Sequence, residues 1–117
     1  MTETMVKTAV RALDAKKAHD LCVLRVEHVT TLADYFVLAT GTSTTQVGAL
    51  ADECEVKMAE AGYTVSHREG REAGNWVLLD YGDIIVHVFG RETREFYGLE
   101  RFWKDAEEMD VKTYLEA

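Results

Sequence analysis

Residues 76–103 read WVLLDYGDIIVHVFGRETREFYGLERFW and decide how the chain is organised. This segment holds both tryptophans of the sequence and three of its four phenylalanines. An apolar run breaks at Tyr81-Gly82-Asp83 and resumes from Ile84 to Phe89, which predicts two strands joined by a tight turn. A charged segment rich in aromatic residues follows at once. We therefore predict that a β-hairpin and its exit segment carry most of the large side chains.

Strand alternation divides this hairpin into two faces. One face is aliphatic and is predicted to be core: Val77, Leu79, Ile84, Val86 and Val88, with Tyr81 in the same alternation. The other face is mixed: Trp76, Leu78, Asp80, Ile85, His87 and Phe89. Interface centres favour such aromatic mixtures. The alternative is that the next helix covers this face with Phe96, Tyr97, Leu99 and Trp103.

Helical and extended patterns alternate before the hairpin. Residues 4–17 predict an amphipathic helix. Residues 21–26 predict a strand, and the short link to a second strand at residues 33–40 favours antiparallel pairing. The second strand is nearly all apolar, as is typical of a strand buried on both faces.

A second helix is predicted from Ser43, where Ser43 and Gln46 form a capping box, to a glycine cap at Gly62. A strand at residues 63–67 would then complete a right-handed parallel crossover. Residues 68–74 read as a polar loop.

The segment after the hairpin predicts a helix over residues 91–103 with a break at Gly98. Residues 104–117 are acidic with weak periodicity, and we expect them to fray. The predicted fold class is therefore α/β, a single domain with a mixed five-stranded sheet flanked by helices. We predict a domain over residues 1–106 and an acidic C-terminal tail over residues 107–117.

Composition narrows the classes of partner. The chain has 117 residues and a formal net charge of −8. A protein that binds nucleic acid through phosphates needs a positive surface, so a basic protein is the expected partner. No apolar run reaches the roughly 20 residues of a membrane span, and the N-terminus lacks a signal-peptide pattern, so we expect a cytoplasmic location. Cys22 and Cys54 are expected to be buried thiols.

Two features of the sequence could suggest an enzyme: the segment Gly41-Thr42-Ser43 and the four histidines. Gly41-Thr42-Ser43 lies between a strand and a helix, where a phosphate can bind, so a nucleotide-dependent transferase is the alternative function. Such enzymes need carboxylates on neighbouring strands, whereas Asp52 and Glu53 lie on a helix, so a simple helix cap is the favoured interpretation. The four histidines lack zinc spacing, and His87 is predicted to pack rather than to catalyse. We predict no metal, no cofactor and no catalytic residue.

Three blocks of sequence together resemble one family. They are residues 33–43 (ADYFVLATGTS), residues 76–89 (WVLLDYGDIIVHVF) and residues 94–103 (REFYGLERFW) with Asp105 and Ala106 following. In this order they resemble the ribosomal silencing factors, the RsfS or Iojap family. The resemblance runs from about residue 4 to residue 106.

The resemblance implies a function that composition does not reach. Family members are not enzymes, although their fold is similar to that of nucleotidyltransferases, here without the catalytic carboxylates. They bind the large ribosomal subunit through its protein fourteen, on the face that meets the small subunit. They thereby block subunit joining and repress translation. The resemblance also implies a homodimer when the protein is free. The net charge of −8 separately predicts little direct nucleic-acid contact.

The resemblance further implies a set of partner-binding residues in the second and third blocks. They are Trp76, Leu78, Asp80, Tyr81, His87, Phe89, Tyr97, Glu100 and Trp103. We add Asp83 to this partner-binding set because of its charge. We expect the apolar members to form the centre of the interface. Asp80, Asp83 and Glu100 are expected to pair with basic side chains, and the net charge to speed association. We also hypothesise that dimerisation and ribosome binding use overlapping surfaces.

Overall fold

Helices and strands alternate along residues 2–116, which the computed structural model describes apart from the side chains of residues 99 and 102. In chain order they are α1 (Thr2–Ala15), β1 (His19–Arg25), β2 (Tyr35–Gly41), α2 (Thr44–Glu60), β3 (His67–Arg71), β4 (Trp76–Asp80), β5 (Ile84–Gly90), α3 (Arg91–Tyr97), α4 (Leu99–Phe102), β6 (Glu107–Met109) and α5 (Val111–Leu115). A 3-10 turn, Glu72–Gly74, joins β3 to β4. The predicted role of Leu99 in covering the hairpin lies outside the described side chains.

The strands form one mixed sheet in the order β3-β4-β5-β2-β1-β6. Its centre is the parallel pair β2 and β5, in register from Tyr35 opposite Ile84 to Gly41 opposite Gly90. The remaining neighbours are antiparallel, including the predicted hairpin of β4 and β5. Every residue of β2 and β5 is buried, as their continuous apolar sequences predict.

The two long helices cover one face of this sheet. The predicted stripe of α1, Val6, Ala9, Val10 and Leu13, is fully buried. From α2, Leu50, Cys54 and Met58 join the same core, together with the aliphatic face of the hairpin. Burying each such large aliphatic side chain stabilises the fold by about 1.5–3 kcal/mol. The sequence therefore predicted correctly which face of the hairpin is core.

The start of α2 is capped as the sequence suggested, with one difference. Ser43 Oγ accepts a hydrogen bond from the Gln46 amide at 3.1 Å. The Gln46 side chain reaches back to the amide of Thr42, at 2.6 Å, one residue earlier than a capping box places it. Both amides at this turn are thereby satisfied within the chain.

The prediction of five strands is wrong, because the sheet has six. The strand after α2 is β3, not residues 63–67, and it lies antiparallel to β4 at the sheet edge. The parallel crossover from β2 therefore ends at β5 instead. The reason is that His67–Arg71 is charged and lacks alternation, which suits an edge strand but reads as a loop.

The predicted acidic tail supplies the sixth strand. β6 pairs antiparallel with β1, with Glu108 opposite Leu24. Tyr114 of α5 is buried against the helical core, and Arg11 donates to the carbonyl oxygens of Tyr114 and Glu116, both at 3.0 Å. The expectation of a frayed end is thus wrong for residues 107–116. No helix in the described part of the chain has the length and apolar character to cross a membrane.

Candidate interaction surface

The second face of the sheet carries an aromatic cluster. Buried side chains from four strands and the β1–β2 loop form it: Cys22, Leu24, Val26, Ala33, Phe36, Leu38, Trp76, Ile85 and Phe89. Leu78, Tyr97, Trp103 and Ala106 pack at its margin and are half-buried. We call this set, together with His87, the aromatic face. Strand alternation alone places Trp76, Leu78, His87 and Phe89 on it.

The segment after the hairpin covers the aromatic face only in part. The Tyr97 ring packs on Trp76, with centroids 4.8 Å apart, and Trp103 meets Phe36 edge-on at 5.3 Å. Both rings keep some exposure, and Phe96 is 78% exposed. The aromatic face is thus partly covered by the next helix and partly open.

Arg94 fixes this covering segment to the sheet. Its guanidinium donates to Glu100 Oε2, to the Asp20 carbonyl and to Thr40 Oγ1, at distances of 2.6 to 2.9 Å. Gly98 takes a left-handed conformation, with φ of 55°, that turns the chain between α3 and α4 as predicted. Only 11% of the Arg94 side chain is exposed.

His87 lies at the centre of the aromatic face and is 6% exposed. Its Nδ1 accepts a hydrogen bond from Trp76 Nε1 at 3.2 Å, and its ring meets the edge of Phe36 at 5.4 Å. Burial lowers the pKa of His87 to about 3, assisted by the positive charge of Arg71. The imidazole is therefore neutral at physiological pH, which suits packing and hydrogen bonding better than charge pairing.

The two acidic residues of the hairpin lie at its turn. Asp80 Oδ1 accepts from the Gly82 amide at 2.8 Å, and Gly82 has a φ of 87° that favours glycine. Asp83 is exposed, and its carbonyl oxygen accepts from the Asp34 amide at 2.7 Å. Their carboxylates therefore lie at one end of the hairpin with room to pair with basic groups.

The structure brings most, but not all, of the predicted partner-binding residues to one surface. Trp76, Leu78, His87, Phe89, Tyr97 and Trp103 share the aromatic face, although Phe89 is fully buried. Glu100 already pairs with Arg94 at 2.7 Å. Tyr81 lies on the opposite face in the helical core, where burial raises the pKa of its phenol well above its usual range. It therefore does not join the aromatic face.

The covering alternative placed Phe96 on the aromatic face, and this is wrong, because Phe96 is 78% exposed. Phe96 precedes Tyr97 on α3, and one residue rotates a helix by about 100°, so the two rings do not face the sheet together. Sequence reasoning missed one residue of this surface. Arg71 pairs with Trp76 across β3 and β4, and its Cζ lies 5.2 Å from the Trp76 ring centroid. It was missed because β3 reads as a loop.

The segment Gly41–Ser43 has the properties of a structural turn. The Ser43 hydroxyl and the Gln46 side chain satisfy amides of the turn. Asp52, the next acidic residue along the chain, pairs with Arg68 at 2.9 Å. Across residues 2–116, no three histidine, cysteine or acidic side chains group as a metal site would need. These contacts favour the helix cap.

The fold and the aromatic face define a small α/β domain with one open, aromatic sheet surface. A crystal structure of a protein from Chromobacterium violaceum has the same fold, with a TM-score of 0.86 and 38% identity, covering 89% of this chain and 87% of that one. The model of the family described as ribosomal silencing factor during starvation matches residues 1–117. The chain belongs to this family.

Two relatives illustrate the breadth of the family. Ribosomal silencing factor RsfS of Bacillus subtilis is 39% identical over 109 residues, which cover 93% of this chain and 92% of the relative. A mouse protein named mitochondrial assembly of ribosomal large subunit protein 1 is 36% identical over 98 residues, covering 80% of this chain and 42% of the relative. The resemblance found in the sequence is confirmed, and it extends through residues 107–117, which the motifs had left outside it.

Proposed function

We propose that this protein represses translation by binding the large ribosomal subunit and preventing the small subunit from joining. The observation that carries the proposal is the half-covered aromatic face, in a chain that belongs to the ribosomal silencing factors. The name of the mouse relative refers to the large subunit, which supports that subunit as the partner.

The proposed contact is with protein fourteen of the large subunit. Leu78, Tyr97 and Trp103 are half-buried and would form its apolar centre, with exposed Phe96 beside them. Interfaces place such aromatic anchors centrally and charges at the rim. Asp80 and Asp83 would form that rim against lysines and arginines. The net charge of −8 would steer the protein toward a basic partner.

Inhibition in this proposal is steric. The domain measures 32 × 32 × 27 Å, too large for a closed space between two subunits. Tight binding at the right position would then be sufficient to inhibit subunit joining. We therefore propose that the protein is not an enzyme and needs no cofactor or metal. Its negative charge disfavours contact with ribosomal RNA phosphates, so protein contacts would dominate. We also propose a cytoplasmic location.

No described contact at Gly41–Ser43 favours the alternative function, a nucleotide-dependent transferase. A fold similar to that of nucleotidyltransferases stays a prediction. We also propose a homodimer for the free protein, with a dimer interface that overlaps the aromatic face. A covalently fixed dimer should then bind large subunits more weakly than the free protein, and equal affinity would contradict the overlap.

Sedimentation with purified subunits tests the function directly. Large subunits are incubated with the protein, small subunits are then added, and the mixture is separated on a sucrose gradient. We expect the protein to travel with large subunits and the joined-ribosome peak to shrink as protein is added. Binding without any loss of the joined peak would contradict the joining block. Small subunits alone are the control and should not carry the protein.

A further inference from the structure

His87 keeps one unused hydrogen-bonding atom on the aromatic face. Its Nδ1 is occupied by Trp76 Nε1, at 3.2 Å. Among residues 2–116 the structure gives its Nε2 no hydrogen-bond partner. The Tyr81 hydroxyl is the only side-chain nitrogen or oxygen of these residues that is shielded from solvent and lacks a hydrogen bond. Nε2 of His87 is therefore not among the fully shielded atoms in the described part of the chain, although the residue as a whole is 6% exposed.

The bond from Trp76 determines what Nε2 can do. An indole nitrogen only donates, so Nδ1 of His87 must be the unprotonated acceptor. A neutral imidazole carries its proton on the other nitrogen, which makes Nε2–H a donor. Because burial keeps His87 neutral, Nδ1 stays an acceptor, and the tautomer is fixed by the fold. The surface side of this ring presents one donor and no acceptor.

The neighbours place this donor inside the apolar centre of the proposed interface. His87 lies between Trp76, centroids 6.0 Å apart, and Phe36, at 5.4 Å. Tyr97 packs on the first of these rings and Trp103 on the second. Both covering rings are half-buried. A partner that packs on them would also desolvate Nε2–H.

We propose that His87 donates a hydrogen bond from Nε2 to an oxygen atom of the bound protein and thereby selects the partner. This inference rests on the proposed function and specifies the chemistry of its interface. A buried donor without an acceptor weakens binding, so a partner must supply an oxygen at this point. A lysine or arginine head cannot accept a hydrogen bond, so these groups would bind at the acidic rim. A main-chain carbonyl of the partner satisfies the requirement.

Two substitutions separate the two ring nitrogens. In His87→Asn the side-chain oxygen takes the place of Nδ1 and still accepts from Trp76, but nothing reaches the position of Nε2. In His87→Gln the amide nitrogen reaches the position of Nε2 and still donates, while the acceptor beside Trp76 is lost. His28→Asn, on the exposed loop between β1 and β2, is the matched control.

Variants that keep a hydrogen-bond donor at the position of Nε2 should keep their affinity for purified large subunits, and variants that lose it should bind more weakly. We expect His87→Asn to weaken binding about 10-fold, which is the loss of one well-placed hydrogen bond. His87→Gln should stay within about 3-fold of the unchanged protein despite lower thermal stability, and His28→Asn should bind as before. Equal weakening by both His87 variants, or undiminished binding by His87→Asn, would overturn the inference. If the unchanged protein fails to bind, the proposed function falls first.

A measurement on the unchanged protein removes any dependence on folded variants. The histidine side chains are labelled with ¹⁵N, and exchange of the His87 Nε2 proton with water is followed with and without isolated protein fourteen. We expect an Nε2-protonated tautomer in both states and exchange slowed at least about 10-fold in the complex. Exchange that is unchanged by a bound partner would overturn the inference, because a purely structural histidine would behave in that way.

Discussion

The guanidinium of Arg94 donates through Nε and Nη2 to the same oxygen atom, Oε2 of Glu100, at 2.9 and 2.7 Å. The two residues belong to different helices, separated by the left-handed Gly98. The third guanidinium nitrogen is bound to β1 and β2 through Asp20 and Thr40. This pair therefore determines where the segment that carries Tyr97 and Trp103 meets the sheet.

Loss of the Glu100 carboxylate should lower stability. Glu100→Ala leaves the nearly buried Arg94 without its ionic partner. Because 41% of the Glu100 side chain is exposed, solvent screening limits the loss to about 1 kcal/mol. Urea unfolding gives the free energy. Glu92→Ala, an exposed acid on α3, is the control and should stay within about 0.5 kcal/mol. Equal midpoints for the two variants would contradict the role of the pair.

The two tryptophans should differ in their effect on folding. Trp76→Phe keeps an aromatic ring but removes the donor to His87 Nδ1, leaving a buried acceptor unpaired, so we expect a loss of about 1–2 kcal/mol. Trp103→Phe removes a half-buried indole that packs on Phe36, and should cost less than about 1 kcal/mol. Thermal unfolding ranks the two. The reverse order would show that the Trp76–His87 bond contributes little.

Stability should fall in mild acid because of His87. The pKa of His87 is about 3 in the folded protein, whereas its value in the unfolded chain is 6.5. Below pH 6.5 the unfolded state therefore binds a proton that the folded state does not, so stability is full above that pH. As the pH falls from 6.5 toward the pKa of folded His87, the free energy of unfolding should decline by about 1.4 kcal/mol per pH unit. Urea titrations at several pH values measure the slope.

The variant His87→Asn isolates this contribution. It lacks the titrating group but keeps the acceptor for Trp76, so its stability should change less steeply across the same range. Carboxyl groups such as that of Glu69, whose pKa is lowered by its bond to Arg71, remain in both proteins. Parallel slopes for the two proteins would contradict a neutral, buried His87.

The rim charge at the hairpin turn can be tested without disturbing the turn. Asp80→Asn keeps an oxygen that accepts from the Gly82 amide but removes the charge. We expect several-fold weaker binding to large subunits and a shallower dependence on salt, because a rim charge mainly affects association. Asp110→Asn is matched, since Asp110 accepts from the Lys112 amide in the same manner. Equal binding by both variants would remove Asp80 from the rim.

Phe96 is the most accessible aromatic residue among the described side chains. At 78% exposure it contributes little to folding, so Phe96→Ala should preserve the unfolding midpoint. We expect binding to large subunits to weaken about 10-fold if it anchors the interface. Leu32→Ala, at 64% exposure in the β1–β2 loop, is the control. Equal affinity for the two variants would exclude Phe96 from the contact.

Periodicity predicted the central part of this fold because packing there is simple. Alternation assigned Val77 and Leu79 to the helical core and Trp76 to the opposite face, as the structure confirms. The same alternation placed Tyr81 in the core. Its membership of the interface came only from family resemblance, which carries no information about facing. Alternation thus predicted the facing of Tyr81 correctly, and its contact with a partner stays a prediction.

The sheet edges were beyond the reach of periodicity. β3 is His-Arg-Glu-Gly-Arg and β6 is Glu-Glu-Met, and neither alternates apolar with polar residues. Both are strands because a neighbour supplies the hydrogen bonds: β4 for the first and β1 for the second. The half-covered state of the aromatic face also depends on long-range contacts, above all those of Arg94 with Asp20 and Thr40.

The parallel pairing of β2 with β5 has a consequence for how the chain folds. Tyr35 finds its partner at Ile84, and Val23 finds one of its partners only at Met109. Such distant pairings close large loops before they gain contacts, which slows folding. During synthesis one edge of β2 would stay unpaired until the hairpin that contains β5 leaves the ribosome. A protein proposed to silence ribosomes therefore needs an active ribosome to synthesise most of its chain before β2 can pair with β5.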